Sequence, residues 1–150
     1  FSHYAMNVDR NMEYLSFEDA IKDEDKRISN KLEKMENDET YYDDIYFRNA
    51  YIDRSIYVTK LKRWFEIFPK EQFLIIQSEK FWSNLPETYS STLKFLDLPP
   101  FQLDEFKQFK KRNYKNLKIE NSTRKELIDL FRPYNEQLFE LLGEKFDWDD

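Results

Sequence analysis

Between Leu103 and Lys118 the sequence places six bases (Lys107, Lys110, Lys111, Arg112, Lys115 and Lys118) against two acids, Asp104 and Glu105. Such a run can hold an anion. Arginine grips an oxyanion with paired N–H groups, and lysine acts as a point charge. By residue type alone the same run is also a solvated helix face and loop. The single histidine, His3, carries the side chain that titrates near neutrality, so it is a formal candidate for a general base. At the start of a helix it reads more simply as a packing or capping residue. Glu79 follows an apolar run, at the position where ligands of α/β sheets bind; a structural role is the reading we favour. Asn121-Ser122-Thr123 matches a glycosylation acceptor but reads as a helix-capping run. No grouping of His, Asp and Glu has metal-ligand spacing, so no metal is expected.

The absences narrow the chemistry further. With no cysteine there is no disulfide scaffold, thiol nucleophile or cysteine-ligated metal. The one glycine, Gly143, follows Leu141-Leu142, where a helix C-terminal cap belongs. A phosphate-cradling loop needs several glycines, so this chain holds no P-loop and no G-x-G-x-x-G. The net charge is −6, and residues 1–50 carry all of it, with 13 acids and 7 bases. General nucleic-acid binding is therefore not expected. No apolar run approaches the ~18 residues of a membrane span. The chain opens on Phe1-Ser2-His3-Tyr4, without an initiator Met and without a signal-peptide pattern. We expect a fragment or a processed chain in the cytoplasm.

At 150 residues and 18% aromatic, the chain should form a single domain with a sizeable core. Ser16-Phe17-Glu18-Asp19 opens a helix expected to reach about residue 36, with Phe17, Ala20, Ile21, Ile28, Leu32 and Met35 on one face. A second helix carries Tyr57, Leu61, Trp64, Phe65 and Phe68 and closes at Pro69. Its Trp64/Phe65/Phe68 stripe is expected in the core. Phe73-Leu74-Ile75-Ile76, bounded by Gln72 and Gln77, reads as a strand buried on both faces, the type found in parallel sheets. Pro86 suits the first turn of a helix that stops before Pro99-Pro100. A short amphipathic helix is expected over Leu103–Phe109. Thr123-Arg124-Lys125-Glu126 reads as a capping box for a last helix, which Pro133 should kink or break. One strand among four or five helices leaves its backbone unpaired, which is costly once buried. The chain is therefore expected to be part of a larger α/β protein. An all-α domain, with Phe73–Ile76 helical or edge-paired, is the alternative.

The ordered set of motifs resembles the C-terminal half of a sulfotransferase domain. It runs from Phe1-Ser2-His3-Tyr4 and Ser16-Phe17-Glu18-Asp19-Ala20-Ile21 to Tyr51-Ile52-Asp53-Arg54-Ser55-Ile56-Tyr57. Leu61-Lys62-Arg63-Trp64 and Phe68-Pro69-Lys70-Glu71-Gln72-Phe73-Leu74-Ile75-Ile76-Gln77-Ser78-Glu79 follow. It ends in Phe95-Leu96-Asp97-Leu98-Pro99, Phe131-Arg132-Pro133-Tyr134-Asn135, Leu141-Leu142-Gly143 and Trp148. The pattern is most similar to the heparan sulfate N-deacetylase/N-sulfotransferases and related bacterial sulfotransferases. The resemblance implies a fold class of α/β: the mostly helical C-terminal portion of a P-loop-kinase-like parallel-sheet fold, with one clear strand at Gln72–Gln77. It implies transfer of a sulfuryl group from 3′-phosphoadenosine 5′-phosphosulfate (PAPS) to a hydroxyl or amine of a carbohydrate or small-molecule acceptor.

Residue by residue, the resemblance makes Ser2 the serine that holds the cofactor's 3′-phosphate, in a run similar to Arg-Ala-Tyr-Ser-His-Tyr. The arginine of that run, and the 5′-phosphosulfate loop with its lysine, would precede Phe1. The late Lys-Gly-Arg-Lys-Tyr loop matches Lys110-Lys111-Arg112-Asn113-Tyr114, so Lys110, Arg112 and Tyr114 are expected to reach the cofactor. Lys111 stands where the family has glycine. Arg54-Ser55-Ile56-Tyr57 matches an Arg-Gly-x-Tyr run, again without the glycine, and Met6 stands where heparan-type enzymes have a histidine. Phe106, Phe109 and Tyr114 could shelter the cofactor or stack near an adenine. No residue of this chain is assigned as catalytic. The chain alone is expected to be inactive, its partner being the missing half of the domain or a second copy. The alternative function is a helical binding module whose basic loop, Lys107–Lys118, grips anionic groups of a partner.

Overall fold

A computed structural model describes residues 1–38, 40–107 and 117–148. Eight α-helices are present among them: α1 (Ser2–Asp9), α2 (Phe17–Lys22), α3 (Glu24–Asn37), α4 (Asp44–Asn49), α5 (Tyr57–Ile67), α6 (Ser78–Ser83), α7 (Leu85–Phe95) and α8 (Asn121–Leu142). The chain divides into two compact units. One comprises Phe1–Lys60 with Tyr114–Asp150, the other Leu61–Asn113. The division falls within α5.

Several helix ends follow from their residues. The Ser16 hydroxyl accepts the Asp19 N–H at 3.1 Å and donates to the Asp19 carboxylate at 2.7 Å. The long helix expected behind it is two, α2 and α3, separated at Asp23. Asp43 caps α4 by accepting the N–H groups of Ile45 and Tyr46, at 2.8 and 3.1 Å. Pro86 lies in the first turn of α7. Gly143 ends α8 in the left-handed region, φ +69°, and its N–H donates to the Phe139 carbonyl at 2.8 Å. Thr123, by contrast, caps nothing. The α8 helix starts two residues earlier, and Thr123 is buried in its first turn. Pro133 does not break α8 either. On one side of it Leu127 packs against the cluster of Tyr4, Phe17, Ala20 and Tyr51, and on the other Leu138 is buried; such burial offsets the roughly 3 kcal/mol an internal proline costs.

The first unit has two apolar clusters. Tyr4, Phe17, Ala20 and Tyr51 form one, with Val8, Ile21, Leu117, Ile119 and Leu127 packed against them. Ile28, Tyr46 and Ala50 form the other, flanked by Leu32, Met35 and Phe47. Two buried carboxylates join the helices around these clusters. Glu13 accepts from Arg27 Nη1 at 2.7 Å, the Tyr51 hydroxyl at 3.0 Å, Asn49 Nδ2 at 3.1 Å, and the N–H groups of Tyr14 and Leu15. Glu24 accepts three consecutive backbone N–H groups, from Tyr51, Ile52 and Asp53, at 2.8, 2.7 and 2.8 Å. Asn7, 1% exposed, completes the set by donating to the Arg48 carbonyl at 2.7 Å. A buried carboxylate survives only when its lone pairs are so occupied.

The second unit contains Gln72–Gln77, where a strand was expected, and the structure corrects that expectation. Lys70–Gln72 form a single 3-10 turn, and residues 73–77 are neither helical nor paired as a strand before α6 begins at Ser78. No strand is assigned among the described residues. Leu74, Ile75 and Ile76 are 39, 37 and 39% exposed rather than buried. Phe73 has the dihedrals of a strand, φ −112° and ψ 127°, so the local conformation is right. A ladder needs a second strand, and the described residues supply none. The Trp64/Phe65/Phe68 stripe is likewise not a core. Phe65 packs edge-on against Phe73, but Trp64 and Phe68 stack on each other while remaining exposed. Residues 103–107 are not helical, and the rest of the helix expected there lies outside the described residues.

Two stability predictions follow from these ends and buried groups. Burial pushes the Glu13 carboxyl up, but Arg27, the Leu15 N–H and the Tyr51 hydroxyl outweigh it and hold the pKa below the ordinary 4.5. The unfolded chain therefore takes up this proton first on acidification. Glu13 stabilises the fold above pH 4.5 and loses that contribution as pH falls through its lowered value. Burial outweighs the three N–H donors at Glu24 and raises its pKa, so its effect has the opposite sign and lies above pH 4.5. Glu13→Gln should cost about 2 kcal/mol at neutral pH and flatten the acid limb of a urea-denaturation series below pH 4.5. Gly143→Ala should cost about 1 kcal/mol by thermal denaturation, from the left-handed backbone alone, since a Cβ there meets no atom within 4 Å.

Candidate functional site

The candidate site grows from the start of α1. An α-helix leaves its first N–H groups without intrahelical partners, and they point outward with the positive end of the helix dipole. Ser2 is the first residue of α1, and no side chain caps this end. Its hydroxyl is exposed. Tyr4 holds the helix in place by donating to the Leu15 carbonyl at 2.9 Å and packing edge-on against Phe17. Asn7 fixes the other end through the Arg48 carbonyl and the Tyr51 hydroxyl.

Beside it lies the 51–57 segment. Tyr51 stacks edge-on against His3, with ring centroids 5.6 Å apart. Arg54 Nη1 donates to the Phe47 carbonyl at 2.9 Å and stands 3.4 Å from His3 Nδ1. The guanidinium lies over the Phe47 ring, 6.0 Å from its centroid. Asp53 is pinned by the Tyr46 hydroxyl at 2.6 Å and by Lys60 at 3.2 Å. Burial first, and then the Asp53 carboxylate, drive the Tyr46 hydroxyl far above its ordinary pKa of 10. Tyr51 is pushed up to about 12, chiefly by burial.

A cavity of about 350 Å³ adjoins both pieces. Phe1, Ser55, Tyr57, Arg124, Phe131 and Trp148 are among its walls. Aromatic faces with a few polar groups suit a flat, polar-edged ligand better than an aliphatic one. The donors at the α1 end (a hydroxyl, helix N–H groups and a guanidinium) suit a phosphate monoester.

Of the residues singled out by sequence, Ser2 lies at this site. Lys110, Arg112 and Tyr114 lie outside the described residues, as does Phe109. The Nδ1 of His3 faces the Arg54 guanidinium, and burial followed by that charge lowers its pKa. Arg54 and its supports were not read as a site from sequence beyond their match to an Arg-x-x-Tyr run. Among the described residues no three His, Cys, Asp or Glu side chains gather as a metal site, and no helix is long and apolar enough to cross a membrane.

Over 97 residues, 63% of this chain, the sequence is 35% identical to the membrane-associated sulfotransferase kil1 of Dictyostelium discoideum. Over 103 residues it is 30% identical to human carbohydrate sulfotransferase 15. The chain is thus similar to these sulfotransferases over part of their length. The sulfotransferase match extends to carbohydrate sulfotransferase 15 of the squid Nototodarus sloanii, at 30% identity over 92 residues. The aligned region spans 20% of kil1, 18% of the human protein and 58% of the squid protein. A crystal structure of a sulfotransferase from Alicyclobacillus acidocaldarius superposes with a TM-score of 0.72 at 23% identity. That likeness is one of fold, and it covers 97% of this chain and 50% of the bacterial one. No protein-family model matches the sequence. The resemblance to sulfotransferases read from the motifs is thus borne out, while the strand at Gln72–Gln77 is not.

The His3–Arg54 pair yields a direct test. The imidazole of His3 should titrate below 6.5 by NMR. Arg54→Ala should raise its midpoint toward that value, because one of the two leading causes of the depression is removed. An unchanged midpoint would mean that the guanidinium does not face the ring.

Proposed function

We propose that this chain is the C-terminal part of a PAPS-dependent sulfotransferase that modifies a hydroxyl or amine of a carbohydrate or small molecule. The observation that carries the reading is sequence similarity, 35% to kil1 and 30% to carbohydrate sulfotransferase 15, over some three-fifths of the chain. The carbohydrate in the name of the second relative is the ground for that acceptor class. The chemistry of the site agrees with it. Ser2, at the uncapped start of α1, offers a hydroxyl and adjacent N–H groups to the cofactor's 3′-phosphate.

When bound, PAPS supplies an activated sulfuryl group and leaves as the bisphosphate PAP once the sulfur–oxygen bond to its 5′-phosphate breaks. The role of the residues here is binding and orientation. Ser2 fixes the 3′-phosphate by a hydrogen bond to a charged oxygen, and Arg54 adds a guanidinium on the same side. Lys110, Arg112 and Tyr114 are proposed to reach the same cofactor from the late basic loop, the lysine and arginine by charge and the tyrosine by stacking. The 5′-phosphosulfate loop is not in this sequence, which has a single glycine. The partner that completes the donor pocket is accordingly the remainder of the domain.

The test uses the full-length encoded protein. It should transfer radiolabelled sulfate from PAPS to a hydroxyl-bearing oligosaccharide, and it should bind PAP by calorimetry. Ser2→Ala should weaken PAP about tenfold, the worth of one hydrogen bond to a charged oxygen. Lys110→Ala and Arg112→Ala should each weaken it similarly. Absence of both PAP binding and sulfate transfer would refute the assignment.

A further inference from the structure

Glu24 is buried, contributes nothing to an apolar cluster, and sits 27 residues from the backbone it binds. Its two oxygens divide three N–H groups between them. Oε2 takes those of Tyr51 and Ile52, and Oε1 takes that of Asp53. Three successive amides aimed at one carboxylate leave the 51–53 segment little freedom. The next residues are Arg54, whose guanidinium stands at His3 next to Ser2, and then Ser55 and Tyr57, which wall the cavity beside Phe1.

The geometry assigns Glu24 as the positioning residue of the donor site: its carboxylate sets the Tyr51–Asp53 turn, and the turn sets Arg54, Ser55 and Tyr57 against the start of α1. This rests on the sulfotransferase reading above. Glu24 touches no ligand; it acts through the turn. The supports around it act in the same direction. Ser55 Oγ donates to the Tyr51 carbonyl at 2.8 Å, closing the turn over itself. Tyr46 and Lys60 hold the Asp53 side chain. Arg54 is anchored to the Phe47 carbonyl. Among these groups only Glu24 binds the backbone of the turn at three consecutive residues.

Glutamine is the informative replacement because it keeps the shape of the side chain. Its one carbonyl oxygen can still accept from Tyr51 and Ile52. Its NH₂ group then faces the Asp53 N–H, donor against donor, and Asp53 with Arg54 must move. The full-length protein and its variants are compared for PAP affinity by calorimetry and for amide exchange at residues 51–53 by mass spectrometry. Glu24→Gln should weaken PAP by about ten- to a hundredfold, speed exchange at Asp53, and leave the far-ultraviolet circular dichroism unchanged. Glu24→Asp, which keeps the charge, should recover part of the affinity. Ile28→Val, which trims the other cluster on the same helix, should lower the melting temperature without changing PAP affinity. If the wild-type protein binds PAP and Glu24→Gln binds it equally well, the positioning role is wrong and the sulfotransferase reading stands. If the wild-type protein binds no PAP, both fall. If Ile28→Val weakens PAP as much as Glu24→Gln does, the effect is general destabilisation and the assignment is overturned.

Discussion

Two buried carboxylates govern the first unit. Glu13 and Glu24 lie beneath the segment that joins α4 to α5, and between them they accept hydrogen bonds from Asn49, Tyr51, Ile52 and Asp53. A segment of this kind has no regular partner for its backbone. Left in an apolar interior, each unsatisfied amide would cost about 1–3 kcal/mol. The carboxylates remove that cost and are themselves stabilised by the donors they collect. Neither can be lost without stranding the other side. Arg27 ties Glu13 to α3, and Asn7 ties the same network to α1. Helices that are short individually are thereby registered on one another.

The candidate site inherits its order from this network. Ser2 and His3 stand on α1, which is anchored by Asn7 and Tyr4, while Arg54 leads on from the turn under Glu24. None of these three is deeply buried, so none is held by packing alone. Each is placed by a backbone whose amides are satisfied beneath it. This is how a surface-exposed hydroxyl and guanidinium can keep a fixed spacing without a core of their own.

Local chemistry was legible in the sequence. Ser16, Pro69, Pro86 and Gly143 mark ends that the structure shows, because capping and proline geometry depend on a few neighbouring residues. Thr123 misled for the same reason: the local capping pattern is present, but the helix extends past it and burial claims the side chain. The Glu13 and Glu24 networks were not legible. Their partners lie 27 to 38 residues away for the contacts to Tyr51, and no short pattern records such a distance. Ser2 is singled out only by its match to a family motif, since an exposed serine at a helix start is common. The apolar stretch Phe73–Ile76 was read as a buried strand and is not one, although Phe73 has strand-like dihedrals, because pairing is a property of a segment's surroundings and not of its composition.

That stretch has a practical consequence. Leu74, Ile75 and Ile76 combine branched apolar side chains, exposure of more than a third and the absence of any charge between Phe73 and Gln77. Exposed apolar stretches of this composition recruit one another. A preparation in which nothing covers the stretch will self-associate increasingly as its concentration rises. A charge placed within the run, as in Ile75→Lys, would oppose that association.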